Sequence, residues 1–269
     1  MKSDEIKEFG IVIIESLRDG EEKTGTKIFN EIIKYKVFEN HNLSRKIFNI
    51  NTKKEFFDVF DIIIGDAKNK KFPILHFETH GSEDGIQLAS YEIVTWNELL
   101  EKTRELNIVL KNTLVVILGM CFGNTLIAKI NPSDRAPFKA IIGTFDKISV
   151  WELLIAFDEF YNNYFFSFLL DESVDKMNQI LEKDNPTFFV LTSDFCFDEM
   201  LSSERDPDFF QRMVNDFAIR EKAITPQYKE LEIDVVRKIK EREIKKLFEE
   251  TKQKKSYFTM EDLRNDTTK

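Results

Sequence analysis

Two of the three histidines of the chain lie in one apolar segment, Phe72 to Gly81, with the sequence FPILHFETHG. The proline near its start and the apolar run favour a strand, so the side chains of His76, Glu78 and His80 point to one face. A helix would instead bring His76 and His80 together as zinc ligands, and the strand pattern disfavours that arrangement. A histidine at a strand end is often only a hydrogen-bonded polar residue. A catalytic role for His80 therefore needs a partner residue.

Cys121 has the chemistry that such a histidine could serve. It ends a second apolar strand, in the segment LVVILGMCFGN (114–124), and lies between Gly119 and Gly123. A free cysteine thiol ionises only at about pH 8.5, so it needs a nearby imidazole that accepts its proton and later protonates the leaving amine. In an open parallel sheet, functional groups collect at the carboxyl ends of the strands, where both His80 and Cys121 would lie. The two residues are the candidate catalytic pair.

Glycines beside the pair would let a peptide backbone approach closely. The backbone N–H groups of Gly81 and Cys121 are the candidate oxyanion hole. A purely structural role for Cys121 stays open at this point, because an unpaired cysteine also behaves as a small hydrophobic residue. Cys196, in TSDFCFDEM, has neither flanking glycines nor a paired histidine and is expected to be structural.

The pattern of apolar runs predicts an α/β fold with a mostly parallel, six-stranded sheet. Helical spacing of apolar residues predicts the connecting helices, and the last helix among them lies near the C-terminus. The predicted strands cover 9–15, 59–64, 72–78, 113–118, 139–143 and 187–191. The predicted helices cover 26–36, 95–106, 149–170 and 231–248, and the third of these is rich in aromatic residues and expected to pack under the sheet.

The chain divides into two regions of different composition. Residues 1–200 are predicted to form the main domain, and 201–269 a helical, charged C-terminal extension. Segment 237–255 carries nine Lys and Arg against four Glu. An amphipathic helix of this kind either docks on its own domain or binds a partner, and both interpretations stay open.

Composition excludes several classes of function. The 39 basic and 48 acidic residues give a net charge of −9, which argues against a nucleic-acid surface. Two cysteines cannot form a disulfide framework, and this favours a reducing compartment. Neither a signal peptide nor an apolar run of about 18 residues is found. The sequence therefore predicts a cytoplasmic protein without a nucleic-acid or membrane partner.

Thr79-His80-Gly81 after one strand and Gly119-Met120-Cys121-Phe122-Gly123 after the next resemble the His-Gly and Cys-x-Gly blocks of the caspase-like cysteine peptidases. Later segments resemble the bacterial CHAT branch of that family, namely AIIGT at 140–144, then Asp146, and a helix bearing Phe160-Tyr161. The resemblance covers residues 8 to 195.

The resemblance implies a caspase-like, three-layer αβα sandwich and a Cys-His dyad that hydrolyses a peptide bond through a thioester. The reaction that the resemblance implies requires no metal and no cofactor. It also implies a bacterial system of antiviral defence or regulated cell death. There the protein substrate is a gasdermin-like or other toxin precursor, and a sensor partner activates the protease.

Specificity is expected to differ from that of caspases, whose glutamine two residues before the cysteine helps two arginines to bind a substrate aspartate. Gly119 occupies that place here, and Arg18 resembles only one of the two arginines. An absolute requirement for aspartate is therefore not expected. The residues considered for substrate binding are Glu15, Arg18, Asp19, Gly119 and Asp146, with Glu21 and Glu22 as further acids in the same loop.

Two other functions compete with that of a cysteine endopeptidase. The first is a catalytically inert caspase-like interaction protein, in which the extension binds a partner. The second is a phosphate-binding α/β protein. The second lacks its main motif, because neither Gly-Xaa-Gly-Xaa-Xaa-Gly nor a Gly-Lys-Ser loop follows a strand.

Overall fold

The structure is a computed structural model that describes residues 8–39, 43–201 and 207–265. The strands of this part of the chain are β1 (Glu8–Ser16), β2 (Leu43–Asn49), β3 (Lys71–Gly81), β4 (Gly85–Gln87), β5 (Ile93–Thr95), β6 (Val115–Gly119), β7 (Ala140–Gly143) and β8 (Phe189–Thr192). Six of them form the main sheet in the order β2-β1-β3-β6-β7-β8. Every neighbouring pair in it is parallel except β7 with β8. The short β4–β5 hairpin extends from the end of β3.

Helices follow most of the strands. A π-helical stretch, Ile28–Ile33, joins the first two helices, and 3₁₀ turns occupy Gly123–Lys129 and Pro226–Tyr228. The α-helices are α1 (Thr24–Lys27), α2 (Lys34–Glu39), α3 (Lys53–Lys68), α4 (Trp96–Val109), α5 (Val150–Ser167), α6 (Leu170–Ile180), α7 (Ser193–Met200), α8 (Pro207–Ile224), α9 (Ile233–Lys252), α10 (Lys255–Phe258) and α11 (Glu261–Asn265). None of the described helices is long and apolar enough to cross a membrane.

The sheet lies between two layers of helices, because alternate residues of its strands point to opposite faces. One face packs against α3, α4 and α7, and its core includes Leu75, Phe77 and Leu118. The other face packs against α5, α6 and the π-helical stretch, with Ile74 and Ile117 in its core. The predicted three-layer αβα architecture with a mostly parallel, six-stranded sheet and a helical C-terminal extension is confirmed.

The strand predicted at 59–64 is wrong, because these residues lie within α3. Thr52 accepts from the backbone N–H of Glu55 while the Glu55 carboxylate accepts from Thr52, so a complete capping box starts a helix there. Phe56, Phe60 and Ile63 then bury one helical face. The sixth strand of the sheet is β2, whose half-exposed edge position leaves only a weak apolar signal. The other five predicted strands are confirmed with small shifts at their ends.

The aromatic helix predicted at 149–170 is confirmed as α5, which ends three residues earlier. Phe168 adopts a left-handed backbone conformation with φ of 57°, and this ends α5 before α6 begins. Phe157, Phe160 and Tyr161 are buried beneath the sheet, as expected for a core helix.

The C-terminal extension contacts the sheet region at its far end. Helices α8 and α9 share a small apolar cluster built on Phe210, Val214 and Ile244. Phe258 of α10, by contrast, belongs to the core of the α3/α4 face and packs on Phe197 with ring centroids 5.1 Å apart. The Phe258 carbonyl also accepts a hydrogen bond from the backbone of Ala136 at 2.9 Å. The division into 1–200 and 201–269 stays a prediction.

Candidate active site

The ends of β3 and β6 bring His80 and Cys121 into one cleft. The two strands are parallel neighbours with Glu78 opposite Gly119, and each candidate residue lies two positions further along its chain. The cleft has a volume of about 390 Å³. Its walls include Leu17, Glu21, Glu22, Thr24, Glu78, Thr79, His80, Gly81, Gly119, Met120, Cys121, Ile148, Val150 and Leu153.

Cys121 lies in a turn that the end of β7 holds in place. Phe122, with φ of 58°, donates its backbone N–H to the Asp146 carbonyl, and the Asn124 side chain donates to the Gly143 carbonyl at 2.9 Å. The Cys121 Sγ accepts from the backbone N–H of Ile148 at 3.4 Å and lies 3.7 Å from the Ile148 carbonyl oxygen. The thiol is partly exposed and open to the cleft.

His80 is the last residue but one of β3 and pairs with Gln87 of β4. Its side chain is 44% exposed, and its Nε2 lies 2.9 Å from Glu21 Oε1. Among the described residues, the hydrogen bonds of the imidazole and of the thiol go to Glu21 and Ile148 and do not join the two groups. The structure therefore places the imidazole and the thiol in one cleft without a direct hydrogen bond between them.

Position 81 requires a glycine, because the backbone there approaches the backbone of Cys121 closely. A Cβ atom on Gly81 would lie 2.0 Å from the Cys121 carbonyl oxygen. The backbones of Gly81 and Cys121, whose N–H groups are the candidate oxyanion hole, are therefore in direct contact. No side chain fits between them.

We expect Gly81→Ala to disrupt the site, because the atom that a new Cβ would strike is backbone and cannot move aside. The matched control is Gly65→Ala in α3, where a Cβ would meet nothing within 4 Å. That change should stabilise the helix by roughly 0.5 to 1 kcal/mol. For both variants, thermal denaturation measures the stability, and the rate of Cys121 alkylation measures the integrity of the site. A Gly81→Ala protein with wild-type stability and alkylation would contradict the close contact.

A buried polar chain lies beneath the cleft. His76 Nε2 is 2.7 Å from Glu78 Oε1, and His76 Nδ1 is 2.7 Å from the Tyr161 hydroxyl. Burial, together with the charge of Glu78, holds the pKa of Tyr161 well above its usual range, so the hydroxyl stays protonated and donates to Nδ1. His76 then donates from Nε2 to Glu78, whose other oxygen accepts from Thr24 Oγ1 at 2.5 Å.

Glu78 also approaches Gly119, where a Cβ would lie 2.2 Å from Glu78 Oε1. His76 and Glu78 share a face, as the strand pattern predicts, but both are fully buried and bonded to each other. No cluster of three His, Cys, Asp or Glu that could hold a metal ion occurs in the described residues.

The other residues considered for substrate binding are more scattered. Glu15 is buried, and its carboxylate accepts from the backbone and hydroxyl of Thr26 at 2.9 and 2.7 Å. Arg18 contacts Glu21, Gln87 and the ring of Tyr91. Asp19 is exposed in the turn after β1. Asp146 lines a separate hollow with Lys147 and residues 182–187. Of Glu15, Arg18, Asp19, Gly119 and Asp146, the structure places only Gly119 in the wall of the cleft, which the further acids Glu21 and Glu22 also line.

Glu21 and Glu78 are the cleft residues that sequence reasoning did not connect to His80 or Cys121. Glu21 is one of several acids in its loop, and Glu78 belongs to an apolar strand, so neither position has a distinctive local pattern. Cys196 is buried, as expected, and burial raises the pKa of its thiol to about 12. Cys196 is therefore protonated and unreactive at neutral pH.

No family model matches the chain, and no curated protein matches its sequence. Among solved structures, the chain is similar to the initiator caspase Dronc of Drosophila, with 11% sequence identity and a TM-score of 0.48. The match covers 68% of this chain and 79% of the Dronc chain. The likeness concerns the fold alone.

Proposed function

We propose that the chain is a caspase-like cysteine endopeptidase with Cys121 as nucleophile and His80 as general acid and base. One observation carries the proposal: the thiol and the imidazole end two neighbouring parallel strands and open into the same cleft. The motifs that resemble the CHAT branch support the proposal that the enzyme belongs to that branch. Its substrate is then a partner protein of a bacterial defence or cell-death system.

The reaction uses the groups that line the cleft. His80 accepts the proton of the Cys121 thiol, and the thiolate attacks the carbonyl carbon of the scissile bond. The negative charge that develops on the carbonyl oxygen is stabilised by the N–H groups of Gly81 and Cys121. When the C–N bond breaks, His80 protonates the leaving amine and a thioester remains on Cys121. Water, deprotonated by His80, then hydrolyses the thioester and regenerates the thiol.

The second candidate is a catalytically inert interaction protein. The reactivity of the Cys121 thiol distinguishes it from the endopeptidase. Iodoacetamide labelling of Cys121 that depends on His80 supports the enzyme, because an isolated thiol reacts slowly at neutral pH. The substrate is sought by incubating the protein with the products of neighbouring genes and looking for a cleavage band that Cys121→Ala removes. Labelling that is unaffected by His80→Ala favours the inert protein.

Strict selection of aspartate before the scissile bond is not expected. Arg18 Nη1 already donates to Glu21 at 3.1 Å, and Nη2 donates to Gln87. No lysine or arginine lines the described cleft, whereas Glu21, Glu22 and Glu78 do. A substrate carboxylate would be left without its ion-pair partners, and this costs roughly 1 to 3 kcal/mol. A peptide library reports the preference, and cleavage after aspartate alone would contradict both this expectation and the assignment to the CHAT branch.

A further inference from the structure

The hydrogen bond between Glu21 and His80 joins parts of the chain that are 59 residues apart. We propose that Glu21 is a positioning residue for His80: its carboxylate holds the imidazole through Nε2 and stabilises the imidazolium that forms when the thiol loses its proton. The inference rests on the proposed function and adds a third member to the Cys-His pair.

The hydrogen bond determines which ring nitrogen works as the base. A carboxylate only accepts, so the imidazole presents N–H at Nε2 to Glu21, at 2.9 Å. In the neutral imidazole Nδ1 is then the nitrogen without a proton, and the proposal assigns to it the acceptance of the Cys121 proton. The buried pair of His76 and Glu78 uses the same arrangement, with Nε2 bonded to a carboxylate and Nδ1 to a hydroxyl.

Glu21 is itself held in place from the other side. Its Oε2 accepts from the backbone N–H of Arg18 at 2.7 Å, and its Oε1 accepts from Arg18 Nη1 at 3.1 Å. The backbone N–H of Glu21 donates to the Arg18 carbonyl at 3.1 Å. These three bonds fold the loop after β1 into a tight turn that directs the carboxylate at the imidazole.

Arg18 connects this turn to the strand that pairs with His80. Its Nη2 donates to the Gln87 side chain, and its guanidinium lies 4.2 Å from the centroid of the Tyr91 ring. Gln87 is the partner of His80 across the β3–β4 ladder. Glu21, Arg18, Gln87 and His80 therefore form a closed ring of contacts, in which each residue restrains the next.

The charge of Glu21 is maintained by the same contacts. Burial alone would raise the pKa of its carboxyl, but the bonds from the Arg18 backbone and from His80 outweigh burial and lower it. Glu21 is thus ionised across the neutral range. The neighbouring acid Glu22 also lines the cleft, but its carboxylate pairs with Lys27 at 2.7 Å.

The test is the pH profile of Cys121 alkylation by iodoacetamide, which needs no substrate. Cys196 is buried and stays protonated, so the reaction reports Cys121, and Cys121→Ala gives the background. We expect Glu21→Gln, which keeps the shape and removes the charge, to raise the midpoint of the profile by about one pH unit. On the acid side of the midpoint, alkylation then slows about tenfold. Glu21→Asp, which keeps the charge, should shift the midpoint by less than half as much.

Asp19→Asn is the matched control, because it removes a carboxylate from the same loop at an exposed position outside the cleft. It should leave the profile unchanged. If Glu21→Gln behaves like this control while His80→Ala loses the reactivity at low pH, the role of Glu21 is overturned and the proposed function stands. Equal shifts for Glu21→Gln and Glu21→Asp would also overturn it. A profile that His80→Ala leaves unaltered overturns the proposed function itself.

Discussion

Replacing Cys121 by alanine is expected to abolish cleavage of the protein substrate, with a loss of at least about 10³-fold in rate. In the proposed reaction the Cys121 sulfur forms the thioester, so without it no covalent intermediate can form. His80→Ala should cause a loss of similar size, because without the imidazole the thiol is not deprotonated. The double variant should be no slower than either single one, since residues that act as a unit are not additive. Cleavage assays with purified variants measure the effect.

Cys196→Ala is the control for this experiment, because it removes the other cysteine from a buried position outside the cleft. It should keep full activity with a small loss of stability. Circular dichroism of Cys121→Ala and His80→Ala should match that of the wild type, since neither side chain is fully buried. If either variant retains most of its activity, the assignment of the pair is wrong.

Phe258→Ala is expected to destabilise the whole domain by about 3 to 5 kcal/mol, although the residue belongs to the C-terminal extension. The ring is 0% exposed and fills the core between Phe197 and the α3/α4 face of the sheet. Truncation to alanine removes the buried area and leaves a cavity in that core. Chemical denaturation followed by circular dichroism measures the free energy of unfolding.

Leu247→Ala in α9 is the control, because this leucine is large and apolar but 57% exposed. Its change should alter stability by no more than about 0.5 kcal/mol. A Phe258→Ala protein that unfolds at the wild-type denaturant concentration would show that α10 does not belong to the core. Removal of residues 226–269 is accordingly expected to reduce stability as well as any partner recognition.

Local patterns were sufficient for the parts of the fold that end at the candidate pair. The runs that became β3 and β6 are apolar and end at glycines, so both the strands and the residues that follow them were predictable. The prediction of a strand at 59–64 is wrong because a short apolar segment is compatible both with a strand and with a buried helix. The capping box of Thr52 and Glu55 starts a helix there, and β2 forms the edge strand of the sheet beside β1.

The long-range contacts of the site have no such signature. Several acids follow β1, and their order along the chain does not show which one meets His80. Arg18 was considered for a substrate aspartate, but the fold surrounds it with Glu21, Gln87 and Tyr91. Phe258 lies in a segment of mostly polar and charged residues, so its sequence context does not indicate burial. Only the tertiary structure shows that its side chain is buried.

The sequence by itself determined that a histidine and a cysteine end two apolar strands, because strand periodicity and terminal glycines are properties of consecutive residues. Only the tertiary structure decided that those strands are neighbours, that the Gly81 and Cys121 backbones touch, and that Glu21 pairs with His80. The physical reason is that helices must pack on both faces of the sheet at once. This packing determines the strand order, the path of the loop after β1 and the shape of the cleft. That packing involves residues tens of positions apart, which no local pattern specifies.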